Sequence, residues 1–182
     1  GTSDGAPGYE FLHRYVRTLP QAEKLSVSPT INRTTIFHRG EPVPSWLKYT
    51  DGAFWEILEF KFLEGGPFTA TDDKNGSLVG VINDATRRRL FGEGSALGQS
   101  LEVDGRRFNI VGVVANVPFL RFLPFGPVWI PNGTAKIQSR ELTGNYVGMI
   151  LARRADDLPA IKAEFKSLLT QVEFKDPRAF NR

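Results

Sequence analysis

The period of the hydrophobic positions changes repeatedly along the chain, and each change marks an element. In residues 9–19, Tyr9, Leu12, Val16 and Leu19 recur at helical spacing, with His13, Arg14 and Arg17 on the opposite side. Asp4 and a Gly/Pro run at 5–8 precede this amphipathic helix, and Pro20 stops it. Residues 25–28 alternate through Leu25 and Val27 and read as a strand that Pro29 interrupts. Residues 34–38 are β-branched and aromatic and read as a second strand. A turn at 39–42 leads to a third strand at 45–50, where Trp46, Lys48 and Thr50 alternate with Leu47 and Tyr49. Asp51 is suited to cap a helix over 52–58, with Phe54, Ile57 and Leu58 as its buried face. A loop follows, with Gly65-Gly66-Pro67 at its centre and the polar run 71–76 at its end.

Residues 77–114 are the most sharply punctuated stretch. An apolar run at 78–82 meets Asn83 and Asp84, a short helix follows at 85–91, and Gly92 ends it. A Gly-rich loop then enters a hairpin at 100–114 turned at Asp104-Gly105, a pair suited to the positive φ of a tight turn. Leu101 and Val103 share one face of that hairpin. Beyond it, 118–127 combines three prolines with a high apolar content. Phe119, Leu120, Phe122, Phe125 and Trp129, with Leu123, are too many apolar residues for an ordinary loop. They either fold back into the core or form an exposed contact patch for a partner or membrane surface. A short strand at 128–130 ends at Pro131, a polar loop occupies 132–143, and 146–153 reads as a strand. Asp156 or Asp157 caps a final helix with Pro159 in its first turn, where a missing N–H costs little. Leu158, Ile161, Phe165, Leu168 and Leu169 form its apolar stripe. Residues 172–174 read as a last strand and the remainder as a charged, loose tail.

This order predicts an α+β chain of two subdomains. Residues 9–63 and 146–175 form one α+β unit built from both chain ends, and 64–145 form a β-rich unit inserted into it. Residues 1–8 read as a cloning scar and linker, and 176–182 as a tail. The chain is accordingly expected to be an excised piece of something larger. No internal repeat or low-complexity tract is evident.

Composition narrows the function classes. At 182 residues the chain can bury a real core. It has no cysteine, so neither a disulfide framework nor thiolate chemistry is available to it. The net charge of +3 is a statement about solubility and does not argue for nucleic acid. No apolar run approaches the roughly 18 residues that a bilayer-spanning helix needs.

The candidate chemistry is sparse. His13 and His38 lie on separate elements with no ligand-spaced partner, and read as structural or surface residues. Asp72, Asp73 and Asp84 could form a carboxylate cluster, but a solvated loop and a helix cap account for them more simply. Gly92, Gly94 and Gly98 follow a helix instead of preceding one, and no Gly-Lys-Ser/Thr is present, so they are not a phosphate loop. Arg87-Arg88-Arg89 reads as a solvated helix surface, because one turn cannot place all three on one face. No Gly-x-Ser-x-Gly elbow occurs.

An ordered series of short motifs carries a family resemblance. It runs from residues 51–58 through Phe62-Leu63-Glu64-Gly65, Phe68-Thr69 and Asp72-Asp73 to Val79-Gly80-Val81-Ile82-Asn83. It continues through Leu90-Phe91-Gly92, Leu97-Gly98-Gln99-Ser100-Leu101 and residues 108–114. The series resembles the MacB-type periplasmic core domain of ABC transporter permeases, the group that also carries an FtsX-like membrane region. The resemblance implies a porter-like α+β subdomain built from both chain ends and an inserted strand-rich, Sabre-like subdomain. It implies a position outside the cytoplasmic membrane of a bacterium, between the first and second membrane helices of an inner-membrane protein. It further implies that the domain couples ATP hydrolysis inside to export or mechanotransmission outside, and holds no catalytic residue, cofactor or metal. ATP would be bound by a separate or fused cytoplasmic ATPase. The implied partners are that ATPase, the membrane region of the same permease, a second permease subunit and a periplasmic adaptor or lipoprotein.

Two departures stand out. Family members often carry Arg after the Glu-Gly pair, where this chain has Gly66-Pro67, so an acid in this loop loses a partner. The segment after Val114 is also unusually aromatic, which makes Phe119, Leu120, Phe122, Phe125 and Trp129 the candidate partner-contact surface. Two rival readings are an extracytoplasmic sensor domain that binds a ligand or peptide, and an enzyme with a polar pocket around Asp72, Asp73 and Asp84.

Overall fold

A computed structural model of the chain describes residues 8–118, 121, 123–135 and 144–175, the last four of these by backbone alone. In chain order the elements are α1 (Tyr9–Arg14), β1 (Ala22–Pro29), β2 (Asn32–His38), β3 (Glu41–Thr50), α2 (Gly52–Ile57) and β4 (Phe62–Gly65). They continue with α3 (Ala70–Asn75), β5 (Val79–Asn83), α4 (Asp84–Phe91), β6 (Ser100–Val103), β7 (Arg106–Val114), β8 (Val128–Pro131), β9 (Tyr146–Ala152) and α5 (Leu158–Lys175). Single 3-10 turns follow α1, follow β8 and precede α5.

The chain divides into two compact units, one made of Gly1–Pro29 with Ile137–Arg182 and the other of Thr30–Lys136. The first unit is a two-stranded antiparallel sheet, β1 with β9, in which Leu25 faces Ile150 and Val27 faces Gly148. Its core is Phe11, Leu12 and Val16 from the N-terminal helical segment, with Leu19, Val27 and Ile161. Phe165, Leu168 and Leu169 of α5 pack against that core, as the apolar stripe requires. Leu158 leaves the stripe and is exposed.

The second unit is a seven-stranded mixed sheet in the order β4-β7-β5-β8-β3-β2-β6, with β6 pairing again to β7. The backbone N–H of Asn109 turns toward β5, at Leu78, and that of Ile110 toward β6, at Gln99. The two partners therefore lie on opposite edges of β7. The strands β7-β5-β8-β3-β2-β6 consequently close into a six-stranded barrel, and β4 extends the edge of β7 beyond the end of β6. Closure at β2–β6 rests on two residue pairs, Ile36 with Val103 and Phe37 with Glu102. Inside lie Ile36, Leu47, Ile82, Leu101, Val103, Phe108, Ile110, Val113, Val128 and Ile130. Pro42 and Pro44 fall in the first half of β3, before β8 joins at Leu47, where a strand tolerates missing ladder donors. The β6–β7 turn has both Asp104 (φ 49°) and Gly105 (φ 71°) in the left-handed region, the geometry the Asp-Gly pair favours.

Several expectations are corrected. The subdomain boundary anticipated at 63/64 and 145/146 falls instead at 29/30 and 136/137. Only Thr30 and Ile31 separate β1 from β2, yet they enter different sheets, because β3 pairs in parallel with the distant β8. The polar run at 71–76 belongs to a helix, α3, closed by a Thr69–Asp72 capping box and ended by Gly76 in the left-handed region. Residues 172–174 continue α5 and form no strand, since a helix already propagating accepts one β-branched residue more cheaply than it stops. Asp51 caps α2 as expected, accepting the Phe54 N–H at 3.0 Å, but the buried face is Gly52, Phe54 and Trp55, with Ile57 and Leu58 half-buried.

Candidate functional site

The residues singled out around 119–129 converge on the outer wall of the barrel. Alternation along β3 turns Leu47 and Tyr49 toward the barrel core and Lys48 and Thr50 away from it. Alternation along β8 turns Val128 and Ile130 inward and Trp129 outward. Lys48 and Trp129 are register partners on adjacent parallel strands, so they stand side by side on that wall. Trp129 is also paired across β8–β5 with Val81.

This wall carries a second apolar core. The Trp129 ring lies 5.7 Å from both Trp55 and Phe60, and Trp55 lies 5.1 Å from Phe54 and 5.4 Å from Phe68. Helix α2 delivers Phe54 and Trp55 because Asp51 fixes its start directly after β3. Residues 123–127 close the wall from the other side. Gly126 lies so close to the Trp129 indole that a Cβ there would meet it at 2.7 Å. A side chain at 126 would force one of the two to move.

The expected contact surface is therefore partly overturned. Trp129 is fully buried, so it belongs to this core and not to an exposed patch. The physical reason is period: Val128 and Ile130 face one core, and the outward residue between them meets a second core instead of solvent. Phe125 is half-buried, and Leu123 is 43% exposed. Phe119, Leu120 and Phe122 lie outside the described residues.

Lys48 is the residue that sequence reasoning missed. Its side chain is buried, its ammonium donates to the Leu123 carbonyl, and it lies 5.4 Å from the centre of the Phe54 ring. Among the described residues, no carboxylate comes within ion-pair distance of it. Desolvation alone pulls its pKa from 10.5 down to about 8. Local sequence shows only that it alternates outward, because the parallel pairing that sets Trp129 beside it joins two distant segments.

The other candidates are dispersed. Asp72 accepts the Thr69 N–H at 2.8 Å, and that bond, with one from the Thr69 hydroxyl, holds its carboxyl below the usual range. Burial pushes the Asp73 carboxyl up, although it accepts the Gly133 N–H at 2.7 Å. Asp84 pairs at 2.9 Å with Arg87 and at 3.1 Å with Arg88. Among the described residues no three metal-ligating side chains converge. The His13 ring stacks 4.1 Å from Tyr9, and the His38 ring meets Phe91 edge-on at 4.7 Å.

The arginine run is corrected too. Arg88 and Arg89 are exposed, but Arg87 is buried. It holds Asp84, sits 3.6 Å from Glu64, and donates to the Gly92 and Gly94 carbonyls at 3.1 Å each. Glu64 in turn accepts from the Ser95 hydroxyl at 2.5 Å and the Ala96 N–H at 3.1 Å. The acid beside Gly66-Pro67 thus takes its cation from α4, and the pair pins the Gly-rich loop to β4.

The comparisons with known proteins agree with this architecture. The family model of the MacB-like periplasmic core domain matches residues 3–168. A probable export ATP-binding/permease protein of Pseudomonas fluorescens is 28% identical over 138 residues, covering 74% of this chain and 21% of the relative. The macrolide export ATP-binding/permease protein MacB of Burkholderia cenocepacia is 29% identical over 150 residues, covering 79% and 21%. The chain spans about a fifth of the length of these relatives. The crystal structure of the periplasmic region of MacB from Actinobacillus actinomycetemcomitans shares the fold, with a TM-score of 0.73 at 14% identity over 92% of this chain and 75% of that one. The chain belongs to the family of MacB-like periplasmic core domains.

Proposed function

We propose that this chain is the extracytoplasmic part of an ABC transporter permease in a bacterial inner membrane, coupling ATP hydrolysis inside to export or force transmission outside. The observation that carries the reading is the family match across residues 3–168, together with relatives named as export ATP-binding/permease proteins. The topology supports it. The first unit draws on both ends of the chain, Gly1–Pro29 and Ile137–Arg182. A domain inserted between two membrane segments needs this arrangement, because both connections then act on the same body. In this reading the domain performs no covalent chemistry and binds no cofactor. ATP is held by a separate or fused cytoplasmic ATPase, and the working assembly pairs two permease subunits with an adaptor or lipoprotein outside.

The test uses the full-length permease with its ATPase in lipid nanodiscs. The present chain has no cysteine, so single cysteines placed at exposed Leu158 and Phe37 give unambiguous spin-label sites within it. Distances between equivalent labels in the two subunits should change between nucleotide-free and ATP-bound states. Labels whose distances ignore nucleotide, or a domain protected from external protease in spheroplasts, would overturn the proposal.

A further inference from the structure

The outer wall of the barrel contains an unusual set of groups: three hydrogen-bond donors, an aromatic lining and, among the described residues, no carboxylate within ion-pair distance of the ammonium. Lys48 carries a buried ammonium whose hydrogen-bond acceptor is one neutral carbonyl, that of Leu123. Beside it, the indole N–H groups of Trp129 and Trp55 are buried and find no acceptor among the described residues. Trp129 is fully buried and Trp55 is 6% exposed. A buried donor without an acceptor is costly, and natural structures retain one where something else satisfies it. The Trp129 Nε1 faces the segment at Gly126, where a Cβ would come within 2.9 Å of it. Three residues earlier in the same segment, the Leu123 carbonyl meets Lys48. The two donors therefore look onto one stretch of backbone from adjacent strands about 4.8 Å apart.

We propose that the seat beneath residues 123–127 is a binding site for a small apolar carboxylic acid, whose carboxylate accepts from the Lys48 ammonium and the Trp129 indole. Its hydrocarbon part packs against Phe54, Trp55 and Phe60. The Leu123 carbonyl holds the place of that carboxylate in the closed form, and the acid enters as the segment lifts. Charge complementarity selects the ligand class. The fold has already removed Lys48 from water, so an arriving anion meets a cation that needs little further desolvation. The bond to the Leu123 carbonyl is already charge-assisted through its donor, and a carboxylate adds the attraction of opposite charges in a site sheltered from water. A neutral alcohol gains only the apolar contact, and a second cation is repelled.

The experiment follows the indole N–H signals of ¹⁵N-labelled chain while hexanoate is added, with hexanol as the neutral control. The backbone amides of α5, which belong to the other unit, are the internal reference. Hexanoate should shift the Trp129 signal saturably near pH 7 and leave the α5 amides in place. With the Lys48 pKa at about 8, affinity should fall by up to about thirtyfold near pH 9.5. Lys48→Met should abolish the shift. Gly126→Ala puts a methyl against the Trp129 Nε1, where the carboxylate is to accept, and should weaken binding severalfold; unchanged affinity in that variant overturns the proposal even if Lys48→Met does not fold. The proposal is overturned if hexanoate moves no indole signal, if hexanol matches it, if affinity ignores pH, or if folded Lys48→Met binds as well as the parent.

Discussion

Replacing Lys48 with Met isolates the energetics of the outer wall. The folded protein lowers the Lys48 pKa from 10.5 to about 8, and desolvation is the cause. At about 1.36 kcal/mol per unit, this amounts to about 3 kcal/mol of disfavoured charge when Lys48 is protonated in the fold. Its sign follows from proton counting. Between pH 8 and 10.5 the unfolded chain keeps the Lys48 proton while the folded chain has released it, so stability rises with pH across that window. Below pH 8 both states are protonated and the full penalty applies. Met fills similar space without a charge, so it removes the penalty, but it also removes the bond to the Leu123 carbonyl, which for a charged donor contributes about 1.5–3 kcal/mol. Near pH 7 the two effects oppose each other and parent and variant should differ by less than about 2 kcal/mol. The informative quantity is the change with pH. Urea denaturation of both proteins from pH 7 to 10.5 should show the parent gaining about 3 kcal/mol relative to Lys48→Met. Taking the difference cancels every other titrating group. A stability difference that stays flat over this range would refute the buried, unpaired ammonium.

Three further outcomes follow from the packing. Trp129→Ala empties the centre of the outer core and should cost about 3–5 kcal/mol by urea denaturation, whereas an exposed contact residue would cost almost nothing. Arg87→Met leaves the Asp84 and Glu64 carboxylates without their buried cation and should cost about 3–5 kcal/mol, while Arg88→Ala, at 62% side-chain exposure, should change stability by less than about 1 kcal/mol in the same assay. Thr69→Ala removes the capping box of α3 and should cost about 1 kcal/mol, with faster amide exchange confined to Ala70–Asn75.

The position of a site residue depends on which core it faces, and local sequence reports only that it alternates. Lys48 and Trp129 illustrate this. Each stands outward between two inward apolar residues, and on a one-layer sheet each would be solvated. Here α2 and residues 123–127 cover that face, so both are buried. Arg87 shows the same thing on a helix. Its two neighbours in the run are exposed, but Glu64 comes from β4 and the Gly92 and Gly94 carbonyls from the loop, and these long-range partners select one arginine of three.

Local rules determined much of the chain by themselves. Asp51 and Asn83 cap helices, Gly92 ends one, and Asp104-Gly105 turns a hairpin, because each of these depends on neighbours within a few residues. The α5 stripe and the alternation of Leu101 and Val103 identified core faces for the same reason. The motif series likewise identified the family, because it rests on the order of residues alone. Tertiary structure decided what local rules do not encode: the parallel pairing of β3 with β8, the closure of β6 back onto β7, and hence the boundary at Pro29 in place of Leu63. Strand pairing is a property of two segments brought together across a long loop, and its free energy comes from shared burial that neither segment shows alone.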